Sequence, residues 1–172
     1  MTVEPPTLPG GRPLPPYAAP EKAMLAAYLD FHRRTLKWKI EGLGRDDAAA
    51  PMTPSGTSLL GMMKHLAYVE RAWFQDVFAG RDCDYPWTDD DPDAEFRIEP
   101  GDTIESVFEL YERECAIARE IVEGASLDDV AVRRRERGYT LRWIVVHMIE
   151  ETARHNGHAD IIRELLDGTT GE

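Results

Sequence analysis

The 172-residue sequence has little of what defines several protein classes. Its only cysteines, Cys83 and Cys115, stand in neither CxxC nor zinc-knuckle spacing, which argues against a disulfide-stapled secreted scaffold and against a cysteine-ligated metal. No run approaches the roughly 20 apolar residues that span a bilayer. The amino terminus, MTVEPPTLPGGRPLPPYAAP, lacks a basic segment followed by an apolar one, so a cytoplasmic protein with neither export nor membrane insertion is expected. Positive charge is in the minority, 20 Lys and Arg against 32 Asp and Glu for a net charge of −12. That balance argues against a nucleic-acid or anionic-membrane partner and favours a small ligand. Alternating strand-type runs are absent too.

What is present reads as helices. Residues 1–20 hold seven of the twelve prolines and form an extended arm, outside a single domain spanning residues 21–172. From Glu21, apolar residues recur at helical spacing (Leu25, Leu29, Leu36, Ile40) and stop near Gly42 and Gly44. Thr57 and Ser58 are good N-caps for a second helix, carried by Leu59, Met62, Leu66, Val69, Trp73 and Val77 to about Gly80. Residues 81–100 combine two internal prolines with an acidic run, either a solvated connector or the edge of a site. Asp102 with Glu105 resembles a capping box opening a third helix (Ile104, Val107, Tyr111, Cys115, Ala118), closed by Gly124. Cys115 lies on its apolar stripe. An arginine-rich link (Arg133, Arg134, Arg135, Arg137) precedes Thr140, the expected N-cap of a last helix ending at Gly168. The expected fold is all-α, an antiparallel four-helix bundle.

In such a bundle the informative residues are polar ones at inward positions. On the last helix, at about 100° per residue, Ile144, Met148, His155, His158 and Ile162 all fall within about 60° of Glu151. Glu151 and His155 therefore sit inside the apolar stripe, one turn apart, where a carboxylate and an imidazole can grip one cation. On the second helix His65 shares the face of Met62, Val69 and Trp73. Burying three such groups unpaired is expensive, and a divalent ion resolves that cost. Zinc, nickel and iron suit two imidazoles and a carboxylate, and three protein ligands leave room for water or substrate. His147 and His158 lie near the same face as candidates for a fourth ligand, a supporting partner or a general base. His32, between Phe31 and Arg33, reads as surface. Trp73, Trp87 and Trp143 read as core or loop anchors, with a pocket wall as the other option.

The stretches SLLGMMKHLAYVERAWF (58–74) and TLRWIVVHMIEETARHNGHADIIRELLDG (140–168), with TLKWKIEGL (35–43), resemble the DinB-like superfamily of four-helix metalloproteins, in a branch typical of actinobacteria. Its members carry one histidine on the second helix and an HxxxH or ExxxH pair on the last, positions that fall on His65, Glu151 and His155. Glu151 stands where histidine is commoner, although mycothiol-dependent isomerases of the superfamily also use a glutamate there, and His158 stands where many relatives have glutamine. Characterised members are mycothiol or bacillithiol S-transferases and a mycothiol-using maleylpyruvate isomerase. The resemblance therefore implies one bound divalent ion, zinc or nickel before iron, and mycothiol as a cosubstrate. It further implies a thiol-dependent transferase or isomerase acting on an electrophile, with His158 or His147 moving the proton. Two other readings stay open here, a non-catalytic bundle whose ion holds two helices together and a hydrolase using metal-bound water. A homodimer is also open.

Overall fold

A computed structural model describes residues 4–171. Two short antiparallel strands, β1 (Thr7–Leu8) and β2 (Arg12–Pro13), form a hairpin from the arm, and five helices follow: α1 (Glu21–Ile40), α2 (Arg45–Ala48), α3 (Leu59–Glu70), α4 (Ile104–Gly124) and α5 (Leu141–Asp167). α3 continues without a break as a π-helical stretch, Arg71–Phe78. The expected four long helices are present, and the fold is a predominantly helical bundle. None of the described helices is long and apolar enough to cross a membrane.

The caps are mostly those expected. Ser58 Oγ accepts from the Gly61 amide, Thr140 Oγ1 from the Trp143 amide, and Gly168 closes α5 in the left-handed region at φ 76°. The capping box of α4 lies one residue beyond the expected pair. Thr103 and Ser106 form it reciprocally, while Asp102 is drawn away by the Lys64 ammonium, 2.7 Å distant.

Cross-helix pairs give the directions. Glu21 meets Arg142 and Lys39 meets Asp160, so α1 and α5 run parallel. Lys64 meets Asp102 and Arg71 meets Glu114, so α3 and α4 also run parallel. Asp30 with Arg119 and Lys37 with Glu112 make α1 antiparallel to α4, and therefore to α3, which Arg33 joins through Glu70. The expected bundle thus has an up-down-down-up course, which follows from residues 79–103. To enter α4 parallel to α3, the chain must climb back along a helix about 30 Å long. It does so against α3: Arg71 donates to the Asp84 carbonyl, Trp87 packs edge-on to Tyr68, and the 3-10 turn Ala94–Phe96 settles over the first turns of α3. Trp87, stacked on Tyr85, serves as a loop anchor.

Two apolar clusters fill the bundle. One gathers Leu36, Leu60, Met63, Leu66, Tyr111 and Ile162; the other Leu29, Phe74, Val77, Leu141, Ile144 and Met148. Near their junction Arg33 donates two hydrogen bonds to the Glu70 carboxylate, at 2.7 and 2.5 Å, with both side chains almost wholly buried. Glu114 receives Arg71 and Gln75 in a comparable arrangement. Cys115 is buried, and burial pushes its thiol pKa well up, as its place on the stripe implied.

The described part of the arm is docked on α1. Arg12 is buried, donates to the Pro9 carbonyl and to Thr35 Oγ1, and lies 4.1 Å over the Trp38 ring. A Cβ on Gly10, at φ 75°, would meet Trp38 Cδ1 at 2.3 Å, so the turn requires glycine. His32 is half-buried rather than on the surface: the Asn156 side chain, reaching across from α5, donates to its carbonyl at 3.0 Å. Burial lowers the His32 pKa. The parallel packing of α1 on α5 decides this, and one helix read alone cannot show it.

Two stability predictions follow from these pairs. Arg33→Leu or Glu70→Leu alone leaves a buried charge uncompensated and should cost about 3–5 kcal/mol in urea unfolding, whereas the double variant should recover most of it. Burial raises the Asp102 pKa, but the Lys64 ammonium and the Glu99 amide outweigh it and the net shift is downward. A folded pKa below the unfolded value of about 3.9 makes Asp102 stabilising above that pH and no longer so as pH falls through the folded value. The Tm gap between the wild type and Asp102→Asn should be open at pH 7 and close below about pH 4.

Candidate metal centre

His65, Glu151 and His155 come together where α3 crosses antiparallel to α5. One ligand atom from each lies within 4.8 Å of the others. Glu151 Oε1 is 3.1 Å from His155 Nε2 and 3.6 Å from His65 Nε2, and the two imidazole centroids are 5.0 Å apart. All three side chains are largely but not fully covered, 12–19% exposed, so the group opens to one side.

Three observations bear on whether these residues suit a cation. His65 Nδ1 lies 2.7 Å from Glu95 Oε1. A carboxylate only accepts, so Nδ1 carries the proton, and the Nε2 lone pair faces the Glu151 oxygen. Two lone pairs facing one another at this distance repel, and a proton or a metal ion between them removes the conflict. His155 Nδ1 is buried with no hydrogen-bond partner among the described residues, so the imidazole–carboxylate contact alone does not satisfy this ring. Tetrahedral ligands at about 2.1 Å from a metal stand about 3.4 Å apart, between the two measured separations. The residues present fit a divalent ion.

The electrostatics agree. Burial raises the Glu151 pKa, but His155 and His65 lower it by more, so the carboxylate is held in its charged form. Burial first, and then the neighbouring His65, lower the pKa of His155 against the pull of Glu151. A depressed imidazole pKa keeps the ring neutral, the state that binds metal.

The loop contributes what the sequence pattern did not disclose. Glu95 holds His65 from behind, the carboxylate–histidine support common to metal sites, and the Phe96 ring stacks on the His65 imidazole with centroids 4.0 Å apart. Residues 81–100 are therefore the edge of the site at their carboxyl end. Gly61 makes this possible, because a Cβ there would lie 2.3 Å from the Phe96 carbonyl oxygen. One turn further on, Lys64 donates to the Arg97 carbonyl at 2.9 Å. A helical glycine one turn before an inward histidine was the available signal, but nothing in sequence pairs it with a residue 35 positions away.

The remaining histidines part company. His158 is exposed, its ring edge-on to His155 at 5.6 Å. His147 stacks on Trp143 and meets the edge of Trp73. Neither belongs to the three-donor group, so the fourth-ligand option is not met by these positions. Among the arginines of the link, Arg133 pairs with Asp76 and Asp82 and makes no contact with the donors.

The family-wide sequence profile of mycothiol-S-transferases matches residues 24–168. The chain belongs to the mycothiol-S-transferase family. No functionally curated protein matches it in sequence. Among solved structures, a conserved protein from Enterococcus faecalis superposes with a TM-score of 0.65 over 88% of this chain and 100% of its own, at 15% identity, which shows a shared fold.

Weakening the support behind His65 should weaken metal binding without unfolding the bundle. Glu95→Gln and Gly61→Ala should each lower the affinity for divalent zinc by about 10- to 100-fold in a competition titration, with circular dichroism unchanged.

Proposed function

We propose that this chain is a metal-dependent thiol S-transferase that joins a mycothiol-type low-molecular-weight thiol to an electrophile. The convergence of His65, Glu151 and His155 within 4.8 Å, in a chain of this family, carries the reading. These residues would hold one divalent ion, zinc or nickel in preference to iron for this mixed donor set. Such an ion, when bound, lowers the pKa of a thiol so that the nucleophile forms near neutral pH.

The chain's own residues supply the rest. Glu95 fixes the His65 tautomer so that Nε2 faces the site, and Phe96 keeps water from one face of that ring. Glu151, held in its charged form between the two imidazoles, supplies the anionic donor that would draw a divalent ion to this point. His158, at the open rim beside His155, accepts the thiol proton and returns it to the departing group. The sulfur forms a bond to the electrophilic carbon, and the leaving group departs with the electron pair of the bond that breaks. His147, within its ring cluster, has no place in this transfer.

Three protein donors with neither His147 nor His158 among them favour catalysis over a closed structural ion. Untagged protein should contain about one divalent ion per chain, and His65→Ala and His155→Ala should abolish it. His158→Gln should keep the ion and lose roughly 10²-fold or more in kcat with mycothiol and a haloalkane-type electrophile. Metal content unchanged in both alanine variants would remove the site. A metal-free protein that unfolds while mycothiol leaves the spectrum of the cobalt-loaded form unaltered would favour the structural ion.

A further inference from the structure

Near the amino end of α1 the face turned to α4 is thin. Ala23 and Ala26, three residues apart and so on one side of the helix, present only methyl groups. Between them and α4 lies a cavity of about 370 Å³. Leu29, Val122 and Val145 form its floor, none more than 8% exposed, while Pro20, Arg119 and Glu123 stand exposed at its margin. Close-packed interiors leave few voids of this kind, so its walls must be held apart.

Polar struts do this at both ends. The Lys22 ammonium donates to the Glu123 and Ala125 carbonyls at the end of α4, at 2.8 and 2.7 Å. Further along α1, Asp30 receives Arg119 Nε of α4 at 2.9 and 3.1 Å and Arg33 Nη1 at 2.9 Å. Arg33 is held in turn by Glu70. At 1.5 Å per residue, Lys22 and Asp30 stand about 12 Å apart along α1. Lys22, Asp30 and Arg33 thus find their partners within the wall. Arg119 does so only through Nε: its Nη1 and Nη2 groups make no hydrogen bond among the described residues. That end of a guanidinium is a fork that grips a carboxylate through two parallel N–H···O bonds. Glu123, the anion of the margin, stands one turn beyond Arg119 on the Lys22 side, so an acidic ligand would set its head at the Arg119 end.

We propose that this cavity binds a linear aliphatic monocarboxylate, its chain lying between α1 and α4 and its carboxylate on Nη1 and Nη2 of Arg119. The volume has room for about a dozen groups the size of a water molecule, at roughly 30 Å³ each, which suits an acid of about ten carbons. Spread over the distance between the struts, it suits a chain better than a compact ring. Burial of the chain against Ala26, Leu29, Val122 and Val145 supplies affinity, and the guanidinium fork selects an acid over an uncharged chain. None of the three candidate donors lines the cavity, so the site is separate from the metal centre and does not rest on the thiol-transferase reading.

The test titrates the full chain by calorimetry with sodium decanoate, below its micelle concentration, and with decanol as the uncharged probe. Decanoate should bind the wild type saturably at about one molecule per chain, and decanol less tightly. Ala26→Phe, which fills the cavity, should abolish binding of both probes while circular dichroism and zinc uptake stay unchanged. Arg119→Gln should weaken decanoate about 5- to 10-fold and leave decanol unaltered. A wild type that binds no decanoate would overturn the proposal. Decanoate binding unaltered in Arg119→Gln would also overturn it, whether or not Ala26→Phe folds. Equal affinity for the two probes would do the same, leaving a site for uncharged apolar molecules. A dimer that Ala26→Phe separates, with neither probe bound by the wild type, would show a second copy of the chain covering the cavity instead.

Discussion

One carboxylate between two imidazoles organises the functional half of this molecule. Glu151 lies on a stripe that otherwise packs the bundle, and its charge is tolerable there only because His65 and His155 face it. The same proximity makes each imidazole nitrogen a poor hydrogen-bond solution by itself, since the Glu95 contact has already committed the proton of His65. A divalent ion would satisfy all three at once.

The up-down-down-up course is the second constraint. Two consecutive parallel helices demand a long return, and a return segment lying against α3 must find partners for its backbone and for its acidic side chains. Lys64 and Arg71 supply cations, Tyr68 an aromatic edge, and Gly61 a gap in the helix surface where the Phe96 carbonyl fits. The segment that solves a topological problem thereby delivers Glu95 and Phe96 to His65. The site is built from α3, α5 and the strap that joins α3 to α4.

Chemistry and cavity size do not coincide here. A cavity of about 370 Å³ between α1, α4 and α5, lined by Ala23, Ala26, Leu29, Val122 and Val145, includes none of the three candidate donors. The three candidate donors instead lie together where α3 meets α5, each 12–19% exposed. The buried Arg33–Glu70 pair joins α1 to α3 and keeps the two apolar clusters in register.

The sequence alone determined the helices and the three donors, because both follow from local periodicity. Apolar spacing marks each buried face, Ser58, Thr140 and Gly168 mark helix ends, and a carboxylate and two imidazoles on those faces stand out as residues that a core excludes. Local reading erred where a neighbour competes: Asp102 pairs with Lys64, so Thr103 and Ser106 cap α4, and His32 is covered because Asn156 of α5 reaches it. Only the tertiary structure decided the direction of each helix, the support of His65 by Glu95 and Phe96, the seat at Gly61, and the separation of His147 from His158. These depend on contacts between residues far apart in the chain, which carry no periodic signal and exist only once the return strap is laid against α3.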